Sequence, residues 1–228
     1  MVPIGSPRAD PRHDVPIVIA TMPASARQRK IAFGALGVLA VVVIVTLPFA
    51  SIQSARVEGF IPGIQTVMYV ADLLTAVLLF AQYAVQPQRA VLVLASGFVF
   101  SGLFAFLHTL SFPGAYAPAG LIGDGRNSAG WLFTFWHATF PLAVIIYTLS
   151  KDRAETEKQP GLSTRVTIGL TIACVVAATT GLTWVATRFA GYLPSLFESA
   201  AIQTTFNRNT DFFLLSLNAV TIVLLFIH

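Results

Sequence analysis

The chain of 228 residues is 55% hydrophobic and 11% charged, with a mean hydropathy of +0.75, whereas a water-soluble domain carries roughly a quarter charged residues. Its apolar residues fall in blocks of about 18 to 25, the length that crosses roughly 30 Å of hydrocarbon, so a soluble globular fold is excluded. The net charge of +4 resides at the ends of those blocks and in the N-terminal tail, where membrane orientation explains it, and it gives no support to nucleic-acid binding.

An apolar segment in lipid has to close its backbone hydrogen bonds within itself, which makes every block a helix. The fold class expected is therefore an all-α integral membrane protein, a bundle of six transmembrane helices. In chain order, residues 1–30 form a disordered cytoplasmic tail punctuated by Pro3, Pro7, Pro11, Pro16 and Pro23. Spans follow at 31–50, 62–85, 90–111, 130–149, 165–187 and 211–228, so that 31–228 is one six-helix membrane domain. Ala50, Ser51 and Ala55 follow the first span at the spacing of a signal-peptide cleavage site. A tail of about 30 residues and an apolar run of about 20 are too long for that, and the first span reads as an uncleaved anchor.

Ten of the 14 basic residues (Arg8, Arg12, Arg27, Arg29, Lys30, Arg89, Lys151, Arg153, Lys158, Arg165) lie on one side of this arrangement and four (Arg56, Arg126, Arg188, Arg208) on the other. Both termini are therefore expected in the cytoplasm of a multi-pass protein of the bacterial inner membrane. The turn Gln86-Pro87-Gln88-Arg89 makes the second and third spans a tight antiparallel hairpin. The segment 112–129 is rich in glycine and proline, and 189–210 is expected to hold an interfacial helix presenting Leu193, Leu196, Phe197, Ala200 and Ile202. Ala173, Ala177 and Gly181 form a small-residue stripe expected to pack closely against a neighbour. Cys174 is the single cysteine, so no intrachain disulfide forms.

Chemistry concentrates in a few polar side chains. Asp72 lies roughly 15 Å along the second span, near the bilayer midplane, where a charge needs a partner such as histidine or arginine. It belongs to a helical stripe with Gln65, Tyr69 and Thr75 or Ala76 that is expected to face the bundle. His108 near the end of the third span and His137 in the fourth lie at similar depth. With Asp72 as floor and Tyr69, Trp136 and Trp184 nearby, they are expected to line a ligand or sensing cavity. For His108 and His137 four roles stand open: a proton-sensitive pair, a transition-metal site, axial haem ligation, or hydrogen bonding alone. Pro141, just beyond His137, is expected to kink the fourth span and open the cavity.

Phe98, Phe100-Ser101-Gly102, His108, Leu110, Phe112-Pro113-Gly114 and the run Trp131-Leu132-Phe133, Phe135-Trp136-His137, Phe140-Pro141 and Tyr147 resemble the fourth class of bacterial membrane-associated sensor domains, the MASE type, over about residues 31–228. The resemblance implies an integral membrane sensor fused to a cytoplasmic output domain following residue 228, either a histidine kinase, the preferred reading, or a diguanylate cyclase. Its partners would be the lipid bilayer and, through the receptor, a second copy as homodimer. The fragment itself has no Gly-rich phosphate loop, HExxH or GxSxG and is not read as an enzyme. The alternatives are a haem- or metal-binding redox protein using His108 and His137, and a small transporter or channel using Asp72.

Overall fold

The computed structural model describes residues 25–49, 52, 59–151, 162–199 and 202–227. The expected disordered tail, apart from residues 25–30, lies outside them, as do Ala50, Ser51, Ala55 and the basic residues Arg8, Arg12, Arg56, Arg153 and Lys158. Among the described residues the structure is helical, with one isolated bridge between Phe197 and Gln203. Six helices are long and apolar enough to cross a membrane. The chain divides into two units, residues 1–55 and 56–228.

The first unit holds α1 (Ala26–Thr46), continued by a 3-10 turn at Leu47–Phe49. It starts five residues earlier than hydropathy indicates. The cause is polar: the Ser25 hydroxyl accepts from the Gln28 amide at 3.2 Å while the Gln28 side chain accepts from the Ser25 amide at 2.8 Å, so orphan amides are satisfied within the first turn.

The second unit packs five helices: α2 (Phe60–Val85), α3 (Arg89–Ser111), α4 (Arg126–Ser150), α5 (Thr164–Arg188) and α6 (Thr205–Ile227). Helix α1 belongs to the first unit. Only residues 86–88 separate α2 from α3, and these two pair along their lengths as the short turn demands. Helix α3 lies among α2, α4 and α5, whereas α4 lies among α3, α5 and α6. Large apolar side chains such as Leu78, Leu142, Leu170, Phe213 and Leu215 are exposed on the outside of the unit, where a bilayer's hydrocarbon solvates them.

Where helices approach closely, side chains are small. A Cβ on Gly97 of α3 would lie 2.6 Å from Cβ of Ala143 on α4. The stripe of Ala173, Ala177 and Gly181, expected to be the packing face of α5, is instead exposed, and Gly181 has open space where its Cβ would be. The face of α5 that meets the core carries Leu182 and Ala186 against Phe104, Leu132 and Trp136.

The two long connections meet at one end of this unit. In 112–125 the Leu121 amide donates to the Leu110 carbonyl at 2.6 Å, closing an open carbonyl at the end of α3. Gly120 makes that possible with φ of 91°, since a side chain there would run into the Ser111 carbonyl. The interfacial helix expected over 189–210 is not what forms. A 3-10 turn (Ala190–Tyr192) is followed at Pro194 by irregular backbone, then by the Phe197–Gln203 bridge. Thr204 caps α6 by accepting the Asn207 amide at 3.1 Å, which starts that helix six residues before residue 211.

Candidate functional site

Two groups of polar side chains lie between α2, α3 and α4, all buried except the half-buried Asp72. In the deeper one, the Trp136 indole N–H (α4) donates to the Ser101 hydroxyl (α3) at 2.8 Å, and Ser101 donates to Asp72 Oδ2 (α2) at 2.6 Å. A tryptophan N–H only donates and a serine oxygen does both, so the direction of this chain follows from its members. It ties three helices together in a layer where water offers no competition. The approach that allows it is again provided by glycine: a Cβ on Gly102 would lie 3.3 Å from Cβ of Asp72.

Roughly two turns further along α3 lies the second group. The Gln65 side-chain nitrogen is 2.5 Å from His108 Nδ1, and the Thr109 hydroxyl bonds to Gln65 Oε1 and also lies 2.9 Å from the Ala105 carbonyl. An amide nitrogen cannot accept, so Nδ1 is the acceptor and the proton of a neutral His108 resides on Nε2. The ring is hemmed in by Phe112, Phe133 and Trp136, with centroids 5.6, 6.0 and 6.1 Å away.

The residues expected to share a cavity are thus distributed as follows. Asp72 and Trp136 are joined through Ser101, whereas His108 belongs to the Gln65 group and touches Trp136 by its ring. His137 stacks on Phe133 at 3.7 Å, lies 4.7 Å from Trp136, and its Nδ1 donates to the Phe133 carbonyl at 2.9 Å. Tyr69 packs edge-on against Phe106 and borders the Phe104–Leu132–Trp136 cluster. Trp184 stands apart from this group, 57% exposed, with the Arg188 guanidinium 5.7 Å above its ring. It was placed by hydropathy depth alone, and depth does not say which way a side chain turns. Pro141 is buried inside α4 and, lacking an N–H, leaves the His137 carbonyl without its helical donor.

Sequence reasoning missed the end of α4. Asn127 reaches the α5–α6 connection twice: its Nδ2 donates to the Ala190 carbonyl at 3.3 Å and its Oδ1 accepts the Leu196 amide at 3.0 Å. Trp131 donates to the Pro194 carbonyl at 3.1 Å, and its ring lies 5.9 Å from Phe206 of α6. Leu196 is fully buried against Gly130, where a Cβ would meet its Cδ1 at 2.6 Å. The available signal was Asp124-Gly-Arg-Asn-Ser128, a helix-start pattern that places Asn127 in the first turn: Asp124 Oδ1 accepts the Ser128 hydroxyl at 2.5 Å and its amide at 3.2 Å.

Among the described residues no group of three or more His, Cys, Asp or Glu side chains comes together as a metal site. The arrangement joins α2, α3 and α4 by hydrogen bonds through Ser101. A multi-pass helical membrane protein with its polar groups turned inward is the class that this fold and site define. The model of one family, MASE4, described as a membrane-associated sensor, integral membrane domain, matches residues 55–228, and the chain belongs to that family. A sensor domain of this kind is not itself catalytic. The match coincides with the five-helix unit and is shorter than the resemblance over 31–228, leaving α1 outside. No curated protein and no solved structure matches the chain.

Proposed function

We propose that the five-helix unit is the sensory input module of a bacterial signal-transduction receptor, and that α4 carries the stimulus from the buried polar groups to α6. One observation supports this most: α4 is tied at both ends of its outer half. Trp136 bonds it to Ser101 and through it to Asp72, while Asn127 and Trp131 bond it to the connection that leads into α6. A stimulus that changes the first set of bonds moves the element holding the second, and a signal needs only two states with different stimulus affinity.

In this reading the ends of the chain face the cytoplasm of the inner membrane, supported by the ten-to-four distribution of basic residues. The output is a cytoplasmic histidine kinase, with a diguanylate cyclase as the alternative, working as a homodimer. The haem and metal alternatives have less support because His108 accepts from Gln65 at Nδ1 and so carries its proton on Nε2, which leaves His137 alone with a free ring nitrogen. The transporter reading has Asp72 alone, and its Oδ2 is bonded to Ser101.

A histidine kinase joined after residue 228 and reconstituted in vesicles tests the relay. Trp136→Phe and Asn127→Ala should each change basal autophosphorylation, and the double variant should differ from the sum of the two. Kinase activity untouched by either substitution in folded protein sinks the proposal.

A further inference from the structure

Hydroxyls inside the helices have a standard outlet in lipid, the carbonyl one turn back. Thr180 donates to Val176 at 2.7 Å, Thr187 to Thr183 at 2.8 Å, Thr148 to Val144 at 2.8 Å and Thr221 to Leu217 at 2.8 Å. Two hydroxyls depart from the pattern. Among the described residues Thr179 Oγ1 and Thr183 Oγ1 are buried with no hydrogen-bond partner, and Thr179 is 2% exposed. They lie one turn apart on α5, on the face that also carries Leu182 and Ala186 into the cluster of Phe104, Leu132 and Trp136.

Residues four apart on a helix hold their side chains about 5–6 Å from each other. One oxygen atom between them reaches both hydroxyls at about 2.8–3 Å, the ordinary length of an O–H···O bond. The surroundings limit what that oxygen belongs to. The rest of the face is apolar and aromatic, and between Arg165 and Arg188 helix α5 carries no Asp, Glu, Lys, Arg or His. An ion would lie there without a counter-charge, at heavy cost.

We propose that Thr179 and Thr183 form a binding site for one neutral oxygen, bridging both hydroxyls inside the core between α3, α4 and α5. The oxygen is that of a water molecule or of the hydroxyl or carbonyl of a small apolar molecule. Its test reads stability rather than kinase activity, so failure of the signalling proposal leaves it intact.

Valine has the shape of threonine without the hydroxyl, which makes the sign of the effect diagnostic. If an oxygen bridges the pair, Thr179→Val and Thr183→Val of the full chain in detergent each lower Tm by roughly 2–4 °C. If the hydroxyls are empty, removing them leaves Tm unchanged or raises it, and the proposal is overturned. Thr180→Val, on the exposed face, is the control with little change. Should the valine variants not fold, Thr179→Ser and Thr183→Ser decide: folding rescued by serine supports the oxygen, and failure with serine assigns the effect to the methyl and overturns it. Benzyl alcohol against toluene, its match without oxygen, separates the sources. A Tm rise of wild type with the alcohol alone, lost in Thr183→Val, identifies an organic ligand; no difference between the two, with the valine variants still destabilised, identifies water.

Discussion

Gly97 and Ala143 oppose each other across α3 and α4 at a distance that leaves no room for a methyl on residue 97. Its Cβ would lie 2.6 Å from that of Ala143, and neither position has a flexible end to move aside. Gly97→Ala therefore has to part the two helices, one turn from where Trp136 bonds to Ser101. The expected cost is about 1–3 kcal/mol of stability in detergent unfolding. Pairing it with Ala143→Gly should recover most of that loss, and no recovery would remove this contact as the cause.

Ser101 both accepts from Trp136 and donates to Asp72. Ser101→Ala leaves the buried Trp136 N–H without an acceptor and the half-buried Asp72 without its donor, a loss of about 1–3 kcal/mol. Trp136→Phe removes one interhelical bond, worth roughly 0.6–1.7 kcal/mol, and adds the cost of the cavity left by the smaller ring in the core. Thermal unfolding of both variants checks the two losses, and unchanged stability in Ser101→Ala removes this chain of bonds as a tie between the helices.

Asn127 holds the amide of Leu196. In Asn127→Ala that amide should exchange with deuterium about tenfold faster, the equivalent of 1.4 kcal/mol in local opening, while amides of α2 remain unaffected. Asn127→Asp keeps the acceptor for Leu196 and loses the donor to Ala190, so its exchange should fall between the two.

Leu196 fills the notch at Gly130 and is fully buried. Leu196→Ala is expected to cost about 2–5 kcal/mol. Gly130→Ala, which crowds the same leucine, should be better tolerated in the Leu196→Ala background than in wild type, as measured by a double-mutant cycle in unfolding.

The absorption spectrum of the purified chain is expected to show no Soret band, since a neutral His108 carries its proton on Nε2 and is enclosed by three rings, which leaves His137 without a second histidine to complete a haem site. A Soret band that His108→Ala or His137→Ala abolishes would restore the haem reading.

Hydropathy alone located all six helices, because a span of about 20 apolar residues has few alternatives in lipid. Its errors fall where polar atoms set the boundary. Ser25 and Thr204 extend α1 and α6 beyond their apolar cores, and Asp124 and Ser128 extend α4. These caps were readable as local patterns, and so was the tight α2–α3 turn.

The site was legible only in part. Asp72, His108 and Trp136 stand out as polar or amphipathic residues within apolar runs, and the family resemblance points to the same stretch. Their partners Gln65, Ser101 and Thr109 lie 29 to 44 residues away in sequence, as does the Asn127 bond to Leu196 at 69. Chain order contains no rule that pairs them.

The sequence by itself determined the solvent, the number of spans and where polarity concentrates, since these follow from transfer of each segment into hydrocarbon. Only the tertiary structure decided which face of each helix turns inward: Trp184 outward, Thr179 inward, the alanine stripe of α5 exposed. In a membrane both faces are apolar, so hydropathy cannot tell lipid from core, and the choice falls to close packing and to hydrogen bonds between helices.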